Sequence, residues 1–301
     1  DRTLEDIFDV QDEVSEAIAR RVAPSVTGHE QNRLSRKRPE SLSAWEEYLQ
    51  GLRCFHERQR TDYEDPGLVQ ARQHFERAFE LDPALSDAYA YLALCGAVEL
   101  VQRLTKDVEK TLVEMLENGS KAESLNPENP LALVAVARAY FFRGDHANAQ
   151  DFSRRAVQFN PSYAFSYFTQ GMAQVHSGDF QQGEESILKA FELSPADPEL
   201  TLFYSALYFA CLGQKKYEEA LEAVEKGLRR PPALGVQLGF QAAVLGHLER
   251  GAEAKTALDR YLALRPNLKT RDDYRRIFIP NSALADPIIE GLIKAGWEPE
   301  D

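Results

Sequence analysis

Sulfur is scarce in this chain, with 3 cysteines and 2 methionines among 301 residues. Cys54, Cys95 and Cys211 are far apart, odd in number and free of any CxxC pair. That excludes a small disulfide-stapled framework and points to a reducing compartment, the cytoplasm. Positive charge is also short, since 35 Lys and Arg against 48 Asp and Glu leave a formal net charge of -13. A phosphate backbone demands a basic surface, so broad contact with nucleic acid is excluded. The basic run Arg33, Arg36, Lys37 and Arg38 lies in a polar stretch before Pro39 and reads as a solvated linker. The apolar, charge-free stretch Leu200 to Gly213 falls short of the roughly 20 residues a membrane-spanning helix needs, so no span is expected. The chain opens on Asp1 inside a helical pattern, without a charged-then-apolar leader, and reads as a piece of a larger protein.

Catalytic signatures are missing as well. There is no GxxxxGK[ST] loop, no GxGxxG after a strand, no HExxH and no GxSxG. The phosphate-cradling, zinc and serine-nucleophile chemistries thus lack their minimum residues. His29, His56, His74, His146, His176 and His247 show no ligand pairing, and no cofactor, metal or catalytic residue is expected. An enzyme would have to assemble its site from distant residues.

What the chain does have is apolar material, 44% of its residues with 16 Phe and 12 Tyr, enough for a continuous core. That material recurs with a period. An apolar residue, a variable one and a proline return as Leu81-Asp82-Pro83, Leu125-Asn126-Pro127, Phe159-Asn160-Pro161, Leu193-Ser194-Pro195 and Leu264-Arg265-Pro266, with Arg230-Pro231-Pro232 as a degenerate copy. Pro127, Pro161 and Pro195 follow one another at 34-residue intervals, as do Pro232 and Pro266. Each proline stops a helical pattern, because its ring clashes with the preceding turn and it has no amide donor. A second break falls inside the units at Gly144, Gly178 and Gly213, where glycine can close a helix in the left-handed conformation. Each unit is therefore two helices. Ala149, Ala156, Ala190, Ala220 and Ala254 supply close approach within the pairs, and Tyr140 and Phe75 are the large partners.

The period, the small residue, the aromatic and the closing proline resemble the tetratricopeptide (TPR) pattern over Leu42 to Asn267. The resemblance implies an all-α class, a superhelical α-α solenoid of six hairpins over 41–267. An N-terminal amphipathic helix and linker would occupy 1–40, and a C-terminal capping segment 268–301. Strand is expected nowhere except near Phe278-Ile279. The unit between Pro83 and Pro127 is 44 residues long, which should lengthen both of its helices, with Thr105 or Asp107 as N-cap of the second. Around Arg58 to Gly67 an insertion containing Asp65-Pro66-Gly67 reads as a loop before a helix.

The ends carry a further resemblance. Leu4, Ile7, Phe8, Val14, Ile18 and Val22 are spaced as one face of a helix from about Thr3 to Val22. The string Leu4 to Val14 is similar to the helix that closes a TolB-like region in bacterial multidomain regulators. Glu40 to Gly51 resembles the start of their first TPR unit, and Asp286 to Trp297 their last short helix. In that group the upstream part is a class III adenylate or guanylate cyclase domain or a winged-helix domain. The resemblance thus implies a regulatory segment of a signalling protein and leaves the output domain open.

In a TPR array the first helix of each unit lines the binding groove. Phe165, Phe168, Met172 and His176 form one such stripe, flanked by Leu202, Ala206 and Phe209 on one side and by Leu131, Val134, Arg138 and Phe141 on the other. Phe168 and Phe165 are the expected anchors, with His176 as a hydrogen-bond donor at the stripe's end. Val134 and Phe168 stand where a carboxylate clamp would need lysine or asparagine, so an acidic tail is not the expected ligand. The expected partner is an apolar peptide or helix, from another protein or from the parent's own output domain. The alternatives are a homodimerisation module that pairs two output domains, and a cryptic enzyme.

Overall fold

The computed structural model describes residues 42–57, 65–102, 104–197, 199–230, 235–277 and 279–300. The amphipathic helix expected over Thr3 to Val22, and the linker after it, lie outside the described residues. Ser43–Asp301 form one compact unit.

Helices alternate with short turns from one end of this unit to the other. Six hairpins are built from α1 (Leu42–Glu57) and α2 (Pro66–Leu81), α3 (Ser86–Gln102) and α4 (Val108–Leu125), α5 (Pro130–Phe142) and α6 (His146–Phe159), α7 (Ala164–Ser177) and α8 (Phe180–Leu193), α9 (Leu200–Gly213) and α10 (Tyr217–Leu228), and α11 (Val236–His247) and α12 (Gly251–Ala263). Two shorter helices follow, α13 (Arg271–Ile277) and α14 (Ala285–Lys294). Among the described residues there is no strand, and Ile279 lies in an irregular segment.

The prolines act as the sequence implies. Asp82, Asn126, Asn160 and Ser194 each cap a helix and precede a repeat proline, with φ between -138° and -146° and ψ between 72° and 92°. The ring of the following proline excludes the helical region for the residue before it, so the chain leaves each second helix extended. Within the third and fourth hairpins the turns use Gly144 at φ 75° and Gly178 at φ 101°. The fifth differs from expectation. Gly213 is the last residue of α9, and Lys215 takes the left-handed position at φ 61°. A side chain at Gly213 would meet the Phe180 ring at 2.2 Å, so this glycine serves close packing instead.

The long unit has helices of 17 and 18 residues, against 13 and 14 in the next hairpin. Asp107 caps the second of them by accepting a hydrogen bond from the Lys110 amide at 3.0 Å. Near the insertion, Asp65 is the cap and accepts from the Leu68 amide at 2.9 Å. Pro66 and Gly67, expected in the loop, open α2, where proline loses no helical hydrogen bond.

Ala149, Ala156, Ala190, Ala220 and Ala254 are wholly buried, and Phe75 fills the space beside Gly51. The core is thus a seam along the hairpins. At its C-terminal end α14 lies on α11, burying Leu284, Ile288, Ile289 and Leu292. Among the described residues no helix is long and apolar enough to cross a membrane.

Candidate functional site: the face of the first helices

Helices α5, α7 and α9 open the third, fourth and fifth hairpins and pack side by side. All eight residues expected to line a groove fall on these three helices, as one stripe of rings around a cation. The Arg138 guanidinium carbon lies 5.6 Å from the Phe142 ring centre, 5.3 Å from that of Phe165 and 5.8 Å from that of Phe168. Phe168 touches Phe165 at 5.0 Å between ring centres and stacks on Phe203 at 5.0 Å. His176 stands edge-on between Phe141 at 5.0 Å and Phe209 at 5.1 Å. Arginine over aromatic faces is favourable and keeps a charged head inside an otherwise apolar layer.

Burial divides the stripe. Phe168, at 3% exposure, Phe141, Phe209 and Arg138 are enclosed, and His176 is wholly so. Phe165, Met172 and Leu202 are half-buried. The expected lead anchor, Phe168, is therefore core. Neighbouring first helices approach so closely that a large side chain at its register meets Phe203 before it meets solvent. His176 is likewise no donor at an open end. Burial, with His146 adding to it, holds its imidazole well below the ordinary histidine range, so it is a neutral packing element. Of the expected stripe, Phe165, Met172 and Leu202 remain accessible to a ligand.

A contact that the sequence reading missed covers one end of this face. The segment Ile279–Leu284, between α13 and α14, returns to the turns of the third and fourth hairpins. Ile279 packs in an apolar cluster with Tyr140, Phe141, Phe142 and Met172. The Asn281 side-chain amide donates to the Gly144 carbonyl at 3.2 Å, and the Ala283 amide donates to the His176 carbonyl at 2.9 Å. Between them, Nε2 of His146 meets the Pro280 carbonyl oxygen at 3.2 Å. The one sequence sign was the string Ile279-Pro280-Asn281, an apolar residue before two breakers, which marks an ordered turn as readily as a loop.

Among the described residues no three of His, Cys, Asp and Glu are grouped to hold a metal ion. Burial, with Glu184 adding to it, pushes the Cys211 thiol up to about 12, which leaves no nucleophilic thiolate at neutral pH.

Residues 166–197, most of the fourth hairpin, match the family model of the tetratricopeptide repeat. The fold is a TPR solenoid. Among curated proteins the chain is similar to the RNA polymerase-associated protein CTR9 of Caenorhabditis elegans, 23% identical over 220 residues, which cover 69% of this chain and 18% of that one. Among solved structures, the APC/C hetero-tetramer Cut9-Hcn1 aligns with a TM-score of 0.58 at 17% identity, over 76% of this chain and 39% of the other. A thermophilic TPR protein of Thermus thermophilus aligns at 0.51 and 21% identity, over 67% of this chain and 98% of its own. The chain thus spans about a fifth of the CTR9 relative and two fifths of the Cut9-Hcn1 chain it matches. At these identities the TPR likeness is one of fold.

Proposed function

We propose that this TPR array docks an apolar peptide or helix against the first-helix face of its third to fifth hairpins, through Phe165, Met172 and Leu202. The observation that carries the reading is a row of half-buried apolar side chains held on a rigid floor of enclosed rings. Such a floor fixes the rotamers of the exposed groups, and a few fixed apolar anchors supply most of the affinity at peptide grooves. The resemblance of the chain's ends adds a setting, a regulatory segment of a cytoplasmic signalling protein beside a cyclase or winged-helix output domain.

A photo-crosslinking residue placed at Phe165 should capture a polypeptide that the same residue at the outer Leu188 does not, and Leu202→Asp should abolish the capture. Equal capture at both positions would reject the reading. Phe165→Ala should weaken that binding with little change in melting temperature. Phe168→Ala should instead cost about 3–5 kcal/mol of stability, as truncation of an enclosed Phe does.

A further inference from the structure

The contact of Ile279–Leu284 with the hairpin turns has the composition of a ligand in its site. One branched apolar side chain, Ile279, packs on a buried cluster of Phe141, Ala149 and Ala173, whose edge it shares with Tyr140, Phe142 and Met172. Three polar groups beside it meet groups of the segment: Nε2 of His146 the Pro280 carbonyl, the Gly144 carbonyl the Asn281 side-chain amide, and the His176 carbonyl the Ala283 amide. Gly144 also lets the segment lie close, since a side chain there would come within 2.7 Å of the Pro280 oxygen. The segment itself stays shallow. Pro280, Asn281 and Ala283 are exposed and Ile279 is half-buried, whereas Tyr274 before it and Leu284 at its C-terminal end are buried anchors. It can therefore leave its seat while both of its ends remain fixed.

We propose that the turn ends of the third and fourth hairpins are a second peptide seat, adjoining the open stripe. The chain's own Ile279–Leu284 fills this seat at rest, and a partner segment that adopts the same turn with the same chemistry takes it in exchange. That segment carries a branched apolar residue, then a free carbonyl, then a side-chain amide. The proposal rests on the reading of the array as a peptide-binding scaffold and names a second element of its partner. Because the resident segment is tethered at both ends, its effective concentration is high, and a partner must outcompete it. Met172 lies in both the seat and the open stripe, so one partner chain could run from one to the other.

The probe is a fluorescent peptide with the sequence of residues 277–285 of this chain, added to the full chain. In Ile279→Asp/Asn281→Ala the resident segment loses its apolar anchor and its amide, and the peptide should bind at least 10-fold more tightly than it does to the unaltered chain. Adding Met172→Lys to that variant should remove the gain. Hydrogen exchange at the Ala283 amide reports the resident segment directly and should accelerate at least 10-fold in the double variant. Equal peptide affinity in both chains would overturn the proposal, and so would an Ala283 amide as protected as before, since these two side chains would then not hold the segment. Either failure leaves the crosslink at Phe165 untouched, so loss of this seat is distinguishable from loss of the scaffold reading.

Discussion

Two consecutive pieces of the C-terminal segment touch the same array and are held by different physics. Helix α14 buries Ile288 and Leu292 completely and brings its backbone onto that of α11. A side chain at Gly246 would lie 2.1 Å from the Gly291 carbonyl oxygen, and one at Gly291 2.3 Å from the Ala243 oxygen. His247 adds a hydrogen-bond contact with the Pro287 carbonyl at 2.8 Å. Ahead of the buried Leu284, residues Ile279–Ala283 have one half-buried apolar side chain, Ile279, and three hydrogen-bond contacts, with Pro280, Asn281 and Ala283 exposed. Apolar burial scales with area, whereas an exposed hydrogen bond is close to an exchange with water. The first piece is therefore structure and the second is occupancy. A repeat array needs its last apolar face covered, and nothing in that requirement fixes the turns of the third and fourth hairpins.

The sharpest way to break this comparison is to truncate one isoleucine in each piece. Ile288→Ala should cost about 2–5 kcal/mol, the range for an enclosed aliphatic side chain. Ile279→Ala should cost about 1 kcal/mol, because its half-buried side chain leaves no closed cavity. Chemical denaturation of both variants measures the difference, and equal losses would put the two pieces in one class. Gly246→Ala should cost about 1–3 kcal/mol, since the added methyl group forces the two helix backbones apart. Its effect should appear in hydrogen exchange as faster exchange of the α14 amides, with those of α1 and α2 unchanged.

A smaller effect follows from pH. His146 and His176 have ring centres 6.0 Å apart beneath the Ile279–Leu284 piece. Burial lowers the pKa of His146, with contacts to Pro280 and Asn281 and the charge of Asp145 acting against it. Burial also holds His176 well below 6.5, and His146 lowers it further. Because both values are depressed in the folded state, the unfolded or opened state binds more protons below pH 6.5. The stability of this region should be fully present above pH 6.5 and fall as pH drops through that value. Its slope is bounded at about 1.4 kcal/mol per histidine for each pH unit. Melting temperatures at pH 7 and pH 5 test this, and His146→Gln should flatten the slope. A slope unchanged in that variant would exclude His146 as its source.

Most of the architecture was legible because its signals are local. A proline that extends the residue before it, a left-handed glycine and a buried alanine each act within a few residues of chain, and their recurrence exposes the unit. The candidate site was legible only in part. Sequence register put Arg138, Phe141, Phe165, Phe168, Met172, His176, Leu202 and Phe209 on adjoining first helices, yet register does not encode how closely two hairpins approach. Phe168 was thus lost to Phe203, and His176 to the two rings that flank it. The return of Ile279 to the cluster of Phe141, Ala149 and Ala173 joins residues more than a hundred apart and has no periodic signal to announce it.

The smallest expected effect concerns Asn281, which sits at φ 56° in the left-handed region and donates to the Gly144 carbonyl. Asparagine tolerates that conformation better than alanine does, so Asn281→Ala loses a hydrogen bond and adds backbone strain, together about 1 kcal/mol. Asn281→Gly loses the same bond but relieves the strain, and should cost a few tenths of a kcal/mol less by the same reasoning. Both changes are also felt locally, because the segment can open while the array stays folded. The measurement is therefore exchange at the Ala283 amide, which should accelerate about 5-fold in Asn281→Ala and less in Asn281→Gly. The amides of α14 should keep their native rates in both variants. If α14 accelerates together with Ala283, the two pieces open as one unit, and the difference between occupancy and structure disappears.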